Sequence, residues 1–397
     1  MTSCRTALLV WEYGKGLGHI AKLRFIADRL KRHGYRTVLV NPTGVPHHMC
    51  HGFDTVAECP QPYQLIDRDQ HTKSSIVSFN SSVEGFGFSE ANYVFTRLTL
   101  WKRIFAEWRP DLLVADYAPC ALLAAKGDIP TLAIGNGYTL PPDHLETYPV
   151  FDAYARHSDK VDPLPMLNAV NAALQLANRP RIDYLPQIFA ADISACMTFP
   201  FTDPYAAIRL KSALGPEASR PIPLAEQKAE PAIFCYLTHC SPRVHRLALL
   251  GLIRSGIPAR VYSLQADSGD RASIQGTRVE ILEKPMPLDE ILGYASLVVH
   301  LGGHQLCMEM IMAGMPQLVL TTDVEKILHA RLMSKYGLAR YYRIDARNSP
   351  EEVTQSITDA VADESIGSKA RGYAARLPDN IHEQSLDWVE RKVLALV

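Results

Sequence analysis

A chain of 397 residues exceeds what one hydrophobic core serves, since single cores stop growing at roughly 250–300 residues, so two domains of similar size are expected. With 47% hydrophobic and 21% charged residues, the composition is that of an ordinary globular protein and leaves no room for a long disordered tail. Lys and Arg number 41 against 42 Asp and Glu, and no window is densely basic, which argues against nucleic acid as a partner and provides no polybasic anchor for a membrane.

The first element is a strand-length apolar run, Ala7 to Trp11, too short for a signal-peptide core. It enters the glycine cluster Gly14-Lys15-Gly16-Leu17-Gly18, after which His19 opens a helix carrying Ile20, Leu23, Ile26, Ala27 and Leu30 at helical spacing. Gly34 closes that helix and Thr37 to Val40 is the next strand, a right-handed βαβ unit. From Gln61 to Glu90 the pattern lapses into Ser, Asn and Gly, which reads as a surface loop and suits an acceptor-facing insertion. A helix over Tyr93 to Trp108, a strand from Leu112 to Ala115 ending at Asp116, a helix at Ala121 to Lys126 and a strand at Thr131 to Ile134 follow. Pro163 to Ala177 and Leu185 to Cys196 read as further helices.

Phe199 to Pro231 is proline-rich and aperiodic, as a linker is. Alternation then resumes with strands at Ala232 to Leu237, Ala259 to Ser263, Val279 to Leu282, Leu297 to His300 and Gln317 to Leu320, and helices at Val244 to Ser255, Leu288 to Ala295, Leu306 to Ala313 and Glu325 to Tyr336. Ser349 to Val397 reads as helices. The expected class is α/β, with two Rossmann-like doubly wound parallel-sheet domains facing a cleft. Residues 1–215 form the first domain, 216–231 the linker and 232–375 the second domain, with a C-terminal helix over 376–397 packing back on the first. The eight cysteines contain no CxxC pair and read as reduced, buried thiols; with no stretch of roughly 18 apolar residues to span a membrane, the cytoplasm is the expected location.

Alternating glycines at 14, 16 and 18 let the chain turn sharply off a strand and offer backbone to a ligand, but they do not fit GxGxxG, and Asn41-Pro42 stands where a dinucleotide site places an acid. A nicotinamide enzyme therefore loses ground. His19 sits at the first turn of the helix, at the mouth of the sheet, and Asp116 ends a strand of the same sheet. A carboxylate on the far ring nitrogen would raise the basicity of the imidazole, as an alcohol nucleophile requires.

Gly16-Leu17-Gly18-His19, together with Leu301-Gly302-Gly303-His304-Gln305-Leu306-Cys307-Met308-Glu309, Ala313-Gly314-Met315-Pro316 and the ungapped Thr321 to Arg331 stretch, resembles the GT-B fold glycosyltransferases that use nucleotide sugars. The resemblance is to the UDP-glycosyltransferase family and its bacterial natural-product and lipid-precursor relatives. It implies that Glu309 binds the donor ribose, and that Gly302 and Gly303 meet the diphosphate at a helix N-terminus. His304, Gln305 and Ser241 are side-chain phosphate donors, Gly18 lies with the donor phosphates, and Glu325 and Lys326 face the donor sugar. His19 with Asp116 is the catalytic pair, and inversion in one displacement follows. No paired-carboxylate DxD signature stands at a strand end, so no metal and no separate cofactor is expected beyond a UDP- or dTDP-linked sugar; the acceptor is a small or lipid-like molecule.

The pattern departs from the family at Leu301, where a phosphate-binding His is usual, at Leu306 for Thr or Ser, and at Glu325-Lys326 for Asp-Gln. The lysine points to an unusual, acidic sugar. A catalytically silent nucleotide-sugar-binding relative and a sugar-nucleotide epimerase are the competing readings; a retained His19 and Asp116 speak against the first, and a separate acceptor insertion against the second. The sequence leaves a homodimer open and does not choose between uridine and thymidine.

Overall fold

Strands made of Val, Leu, Ile and Ala, buried on both faces, dictate a parallel sheet covered by helices, and the chain builds two of them. The computed structural model describes residues 5–14, 18–43, 45, 49–59, 77–151, 161–238 and 240–397. Lys15, Gly16 and Leu17 of the glycine cluster and residues 61–76 of the polar insertion lie outside them.

One compact unit comprises Met1–Pro200, Tyr205–Glu217 and Glu383–Val397. Its elements are β1 (Thr6–Trp11), α1 (Gly18–Arg32), β2 (Arg36–Pro42), β3 (Thr55–Cys59), α2 (Phe79–Gly85), α3 (Ala91–Trp108), β4 (Leu112–Asp116), α4 (Pro119–Ala125), β5 (Thr131–Gly135), α5 (Leu164–Leu176) and β6 (Ile193–Cys196). The strands pair in parallel in the order β3-β2-β1-β4-β5-β6, a doubly wound sheet whose direction of winding reverses between β1 and β4. The core on one face joins Leu9, Leu23, Ile26, Leu39, Val114 and Ile134, all at most 1% exposed.

The other unit comprises Phe201–Pro204 and Ala218–His382. It holds β7 (Ile233–Leu237), α6 (Pro242–Ser255), β8 (Ala259–Ser263), α7 (Ser268–Ser273), β9 (Val279–Leu282), α8 (Leu288–Tyr294), β10 (Leu297–His300), α9 (His304–Ala313), β11 (Gln317–Thr321), α10 (Val324–Lys335), β12 (Arg340–Arg343), α11 (Pro350–Ala362) and α12 (Glu364–Ala374). Its sheet runs β12-β11-β10-β7-β8-β9, the same winding, with the reversal between β7 and β10. The last helix, α13 (Ile381–Leu396), sends Leu386, Val389 and Val393 into the core of the first unit. Among the described residues, no helix is long and apolar enough to cross a membrane.

Several elements differ from the sequence reading; within the stretch read as a surface loop, α2 forms a helix that buries Phe79, Asn80, Ser82 and Val83. Leu185 to Cys196 is not a helix: a single 3-10 turn at Leu185–Phe189 leads into β6, which pairs with β5. Asp192 sets that register, because its carboxylate accepts from both the backbone N–H and the hydroxyl of Thr131 at 2.8 Å, and strand pairing overrides the helical spacing. β3 and β12 are edge strands whose apolar content is too thin for periodicity to reveal.

Candidate functional site

In open doubly wound sheets, ligands collect beyond the carboxyl ends of the strands where the winding reverses. In the first unit that place is framed by the segment after β1 and by the end of β4, whose final residues Trp11 and Asp116 lie in register. His19 stands in the first turn of α1, and its Nδ1 is 3.0 Å from Asp116 Oδ2. The Asp116 side chain is fully buried and that of His19 is 15% exposed. A ring nitrogen facing a carboxylate carries the hydrogen, which leaves the lone pair on Nε2.

Two aromatic rings stack on the imidazole. Trp11 stacks on it at 4.9 Å and Tyr117 at 6.3 Å between centroids. Tyr117 has φ of +51°, a left-handed conformation that a bulky residue adopts only when its surroundings impose it; its carbonyl accepts from Tyr13 N–H at 3.2 Å. Gly14, at φ +91°, lies against the same imidazole, and a Cβ there would meet His19 Nε2 at 2.7 Å. Among the described residues, Asp116 Oδ1 has no hydrogen-bond partner despite its burial. Gly18 begins α1 and faces open space.

Beside the pair lies a carboxylate that sequence reasoning missed. Glu12 is 3% exposed and accepts from Arg97 at 2.8 Å, Trp101 Nε1 at 2.6 Å, and the N–H groups of Cys120 and Ala121. It therefore ties α3 and the start of α4 to the segment that carries Gly14. Its only signal in the sequence was a charge immediately after an apolar strand. Tyr13, Phe86, Phe79 and Tyr138 extend from Tyr117 as a connected aromatic cluster.

In the second unit the equivalent place lies after β7 and β10, where Tyr236 and His300 are in register. The turn Leu301-Gly302-Gly303 feeds α9, with Gly302 at φ +84° and Gly303 as the N-cap. His300 is buried beneath it: Gly302 N–H donates to its Nδ1 at 3.1 Å, and its Nε2 donates to Gln317 Oε1 at 3.0 Å. Burial pushes His300 down to about 4, so it is neutral. The amide of Gly302 is thus engaged inside the protein, whereas Gly303 is exposed.

The remaining sequence-assigned residues fall as follows. Glu309 is half-buried on α9 and accepts from Gln305 Nε2 at 3.1 Å; burial raises its pKa. Ser241 caps α6, accepting from Val244 N–H at 3.3 Å. His304 lies 5.4 Å from buried His329, ring to ring. Glu325 and Lys326 share the first turn of α10, and the Lys326 ammonium pairs with Asp323 at 2.9 Å. Tyr236 stacks on Tyr262 at 5.7 Å, a half-buried aromatic pair that sequence reasoning did not single out. A second His–carboxylate pair, His245 with Asp270 at 2.9 Å, is buried and bonded to Ser263, and its geometry serves the α6–β8–α7 packing. Among the described residues, no group of three His, Cys, Asp or Glu could hold a metal ion.

No family model and no curated protein matches the sequence. Solved structures do. The glycotransferase of kitacinnamycin is 16% identical, with 99% of each chain covered and a TM-score of 0.69. Spinosyn rhamnosyltransferase SpnG, solved with spinosyn aglycone, is 17% identical over 98% of this chain and 100% of its own, at a TM-score of 0.66. Glycosyltransferase VinC, solved with dTDP, is 14% identical over 98% of this chain and 99% of its own, at 0.63. The chain has the GT-B fold of these glycosyltransferases.

Proposed function

We propose that this protein is a glycosyltransferase that moves a sugar from a UDP- or dTDP-linked donor onto a hydroxyl of a small or lipid-like acceptor, with inversion and without a metal ion. The reading assigns acceptor activation to the first unit and donor binding to the second. The observation that carries it is the His19–Asp116 pair: a buried carboxylate 3.0 Å from one ring nitrogen, at the winding reversal of the sheet, with the other nitrogen beside a glycine that leaves it uncovered. Spinosyn rhamnosyltransferase and VinC, which share the fold, were solved with an aglycone and with dTDP respectively, and these ligands support the substrate classes.

In this mechanism Nε2 of His19 takes the acceptor proton as the hydroxyl oxygen attacks the anomeric carbon, and Asp116 stabilises the imidazolium that forms. The bond from the anomeric carbon to the diphosphate oxygen breaks in the same step, and the diphosphate leaves with the electron pair. Glu309, accepting hydrogen bonds from the ribose hydroxyls, and the amides at the start of α9 hold the donor, and the helix dipole stabilises the leaving charge in place of a metal ion. Glu325 takes the donor-sugar hydroxyls.

UDP or dTDP at 100 times its Kd should stabilise the protein by about 2.7 kcal/mol, read as a rise in melting temperature that EDTA leaves unchanged. His19→Ala should retain this shift and lose transfer. Absence of any shift with every nucleoside diphosphate would remove the donor assignment, and full transfer by His19→Ala would place the base elsewhere.

A further inference from the structure

The glycine turn after β10 brings no fixed positive charge of its own to a diphosphate. Gly302 N–H is bonded to His300 Nδ1, Leu301 is apolar and 5% exposed, and the Gln305 amide is turned to Glu309. His300 is held neutral by burial and brings no charge. An anion with two phosphoryl groups needs a cation somewhere near, because uncompensated charge at a partly dry site is costly.

Lys326 stands over that turn. A Cβ on Gly302 would come within 3.1 Å of Lys326 Cβ and 3.2 Å of its Cγ, so the lysine stem lies on the bare α-carbon. The absence of a side chain at Gly302 therefore does two things: it permits the φ of +84° and it admits the stem. The positive charge of Lys326 lowers the pKa of His300, Cys240 and Cys307 alongside the larger effect of their burial. The ammonium rests on Asp323 at 2.9 Å and on Thr322 Oγ1 at 3.3 Å. The Asp323 side chain is 49% exposed, and a pair so open to water contributes about 0–1 kcal/mol, too little to keep the ammonium from a stronger anion. Asp323 has its own task in any case, since its other oxygen caps α10 by accepting from Lys326 N–H at 3.1 Å.

We propose that Lys326 is the cation that meets the donor diphosphate: its ammonium swings from Asp323 to the phosphoryl oxygens, and it does not serve the hydroxyls of the transferred sugar. This rests on the donor reading given above and changes the chemistry of one residue within it. A point charge suits this work, since an ammonium can follow the charge that builds on the leaving diphosphate as the glycosidic bond breaks. The donor sugar then need not be acidic.

The test is calorimetric titration of the full chain, as wild type, Lys326→Met and Lys326→Arg, with UDP and dTDP, the matching nucleosides, and a UDP- or dTDP-hexose. Lys326→Met should lose about tenfold or more in affinity for the diphosphate, as expected for a charge-assisted hydrogen bond, with nucleoside affinity unchanged and a shallower dependence on salt. Lys326→Arg should restore most of the loss, which a merely structural lysine would not do. Equal diphosphate affinity in Lys326→Met, with weakening confined to the intact nucleotide hexose, would show that the residue serves the sugar and overturn the proposal. If the wild type binds no nucleoside diphosphate, the donor reading fails first and the proposal with it.

Discussion

Gly14 and His19 are five positions apart in the chain, yet a single methyl group would bring them into collision. With Nδ1 turned to Asp116, the only nitrogen of His19 that can accept a proton is Nε2, and Nε2 is the atom that a Cβ at Gly14 would approach to 2.7 Å. Gly14→Ala therefore covers the lone pair and strains a backbone at φ +91°. If the imidazole is the base, this variant should bind UDP or dTDP like the wild type while kcat falls by about a hundredfold, the usual consequence of displacing a reacting group by an ångström. A steady-state assay beside a binding titration separates the two. Loss of affinity without loss of kcat would show that Gly14 serves the donor. Glu12 belongs to the same neighbourhood but to a different class: each of its hydrogen bonds returns to the protein, so it supports the site and takes no part in the chemistry.

The turn between β10 and α9 shows an element preset from beneath. His300 accepts from Gly302 and donates to Gln317, whose amide in turn donates to the Cys307 carbonyl on α9, so a buried chain of polar groups fixes strand, turn and helix together. Burial lowers the His300 pKa to about 4 from the ordinary 6.5. The unfolded chain then binds the proton more readily, so this residue's contribution to stability is complete above pH 6.5 and is lost as pH falls from there towards 4, where it levels off. The loss is on the order of 3 kcal/mol. Urea unfolding across that window should show a steeper decline for the wild type than for His300→Asn, and parallel curves would mean the imidazole is charged or solvated in the fold. In the sequence, the glycine pair, its distance to Glu309 and the helix read from Glu325 to Tyr336 were legible, because strand, turn and helix signals are local. The engagement of the Gly302 amide was not, since it depends on Gln317 being brought beside His300 by pairing of β10 with β11. The same holds for Lys326, whose contact with Gly302 spans helix α9 and strand β11, and for β6, where a single carboxylate decided the register.

At the scale of the whole chain, the first unit is assembled from three separate stretches, and the last of them is only a helix. The chain leaves this unit after Glu217 and returns at Glu383. Ser385 Oγ donates to the Pro216 carbonyl at 3.3 Å, and Ala218 N–H donates to the His382 carbonyl at 3.2 Å, so the outgoing and returning segments are bonded where they pass. Two kinds of contact could hold α13 in place. Arg29 faces Asp387 at 2.7 Å and Glu390 at 2.9 Å, with His33 on Glu390 at 2.6 Å; Leu386, Val389 and Val393, at most 4% exposed, enter the core formed with Leu23, Ile26 and Leu30. Packing should dominate, because buried Leu→Ala changes cost about 2–5 kcal/mol, whereas ion pairs with partly exposed partners, such as Arg29 with Asp387, contribute about 0.2–1 kcal/mol each. Leu386→Ala is therefore expected to lower the unfolding free energy by at least about 2 kcal/mol, independent of ionic strength. Arg29→Ala should cost less, and most of that cost should vanish in 1 M salt, where the Debye length falls to about 3 Å. Denaturant unfolding of both variants at low and high salt measures the difference, and a larger, salt-sensitive effect at Arg29 would show that charge rather than burial closes the unit.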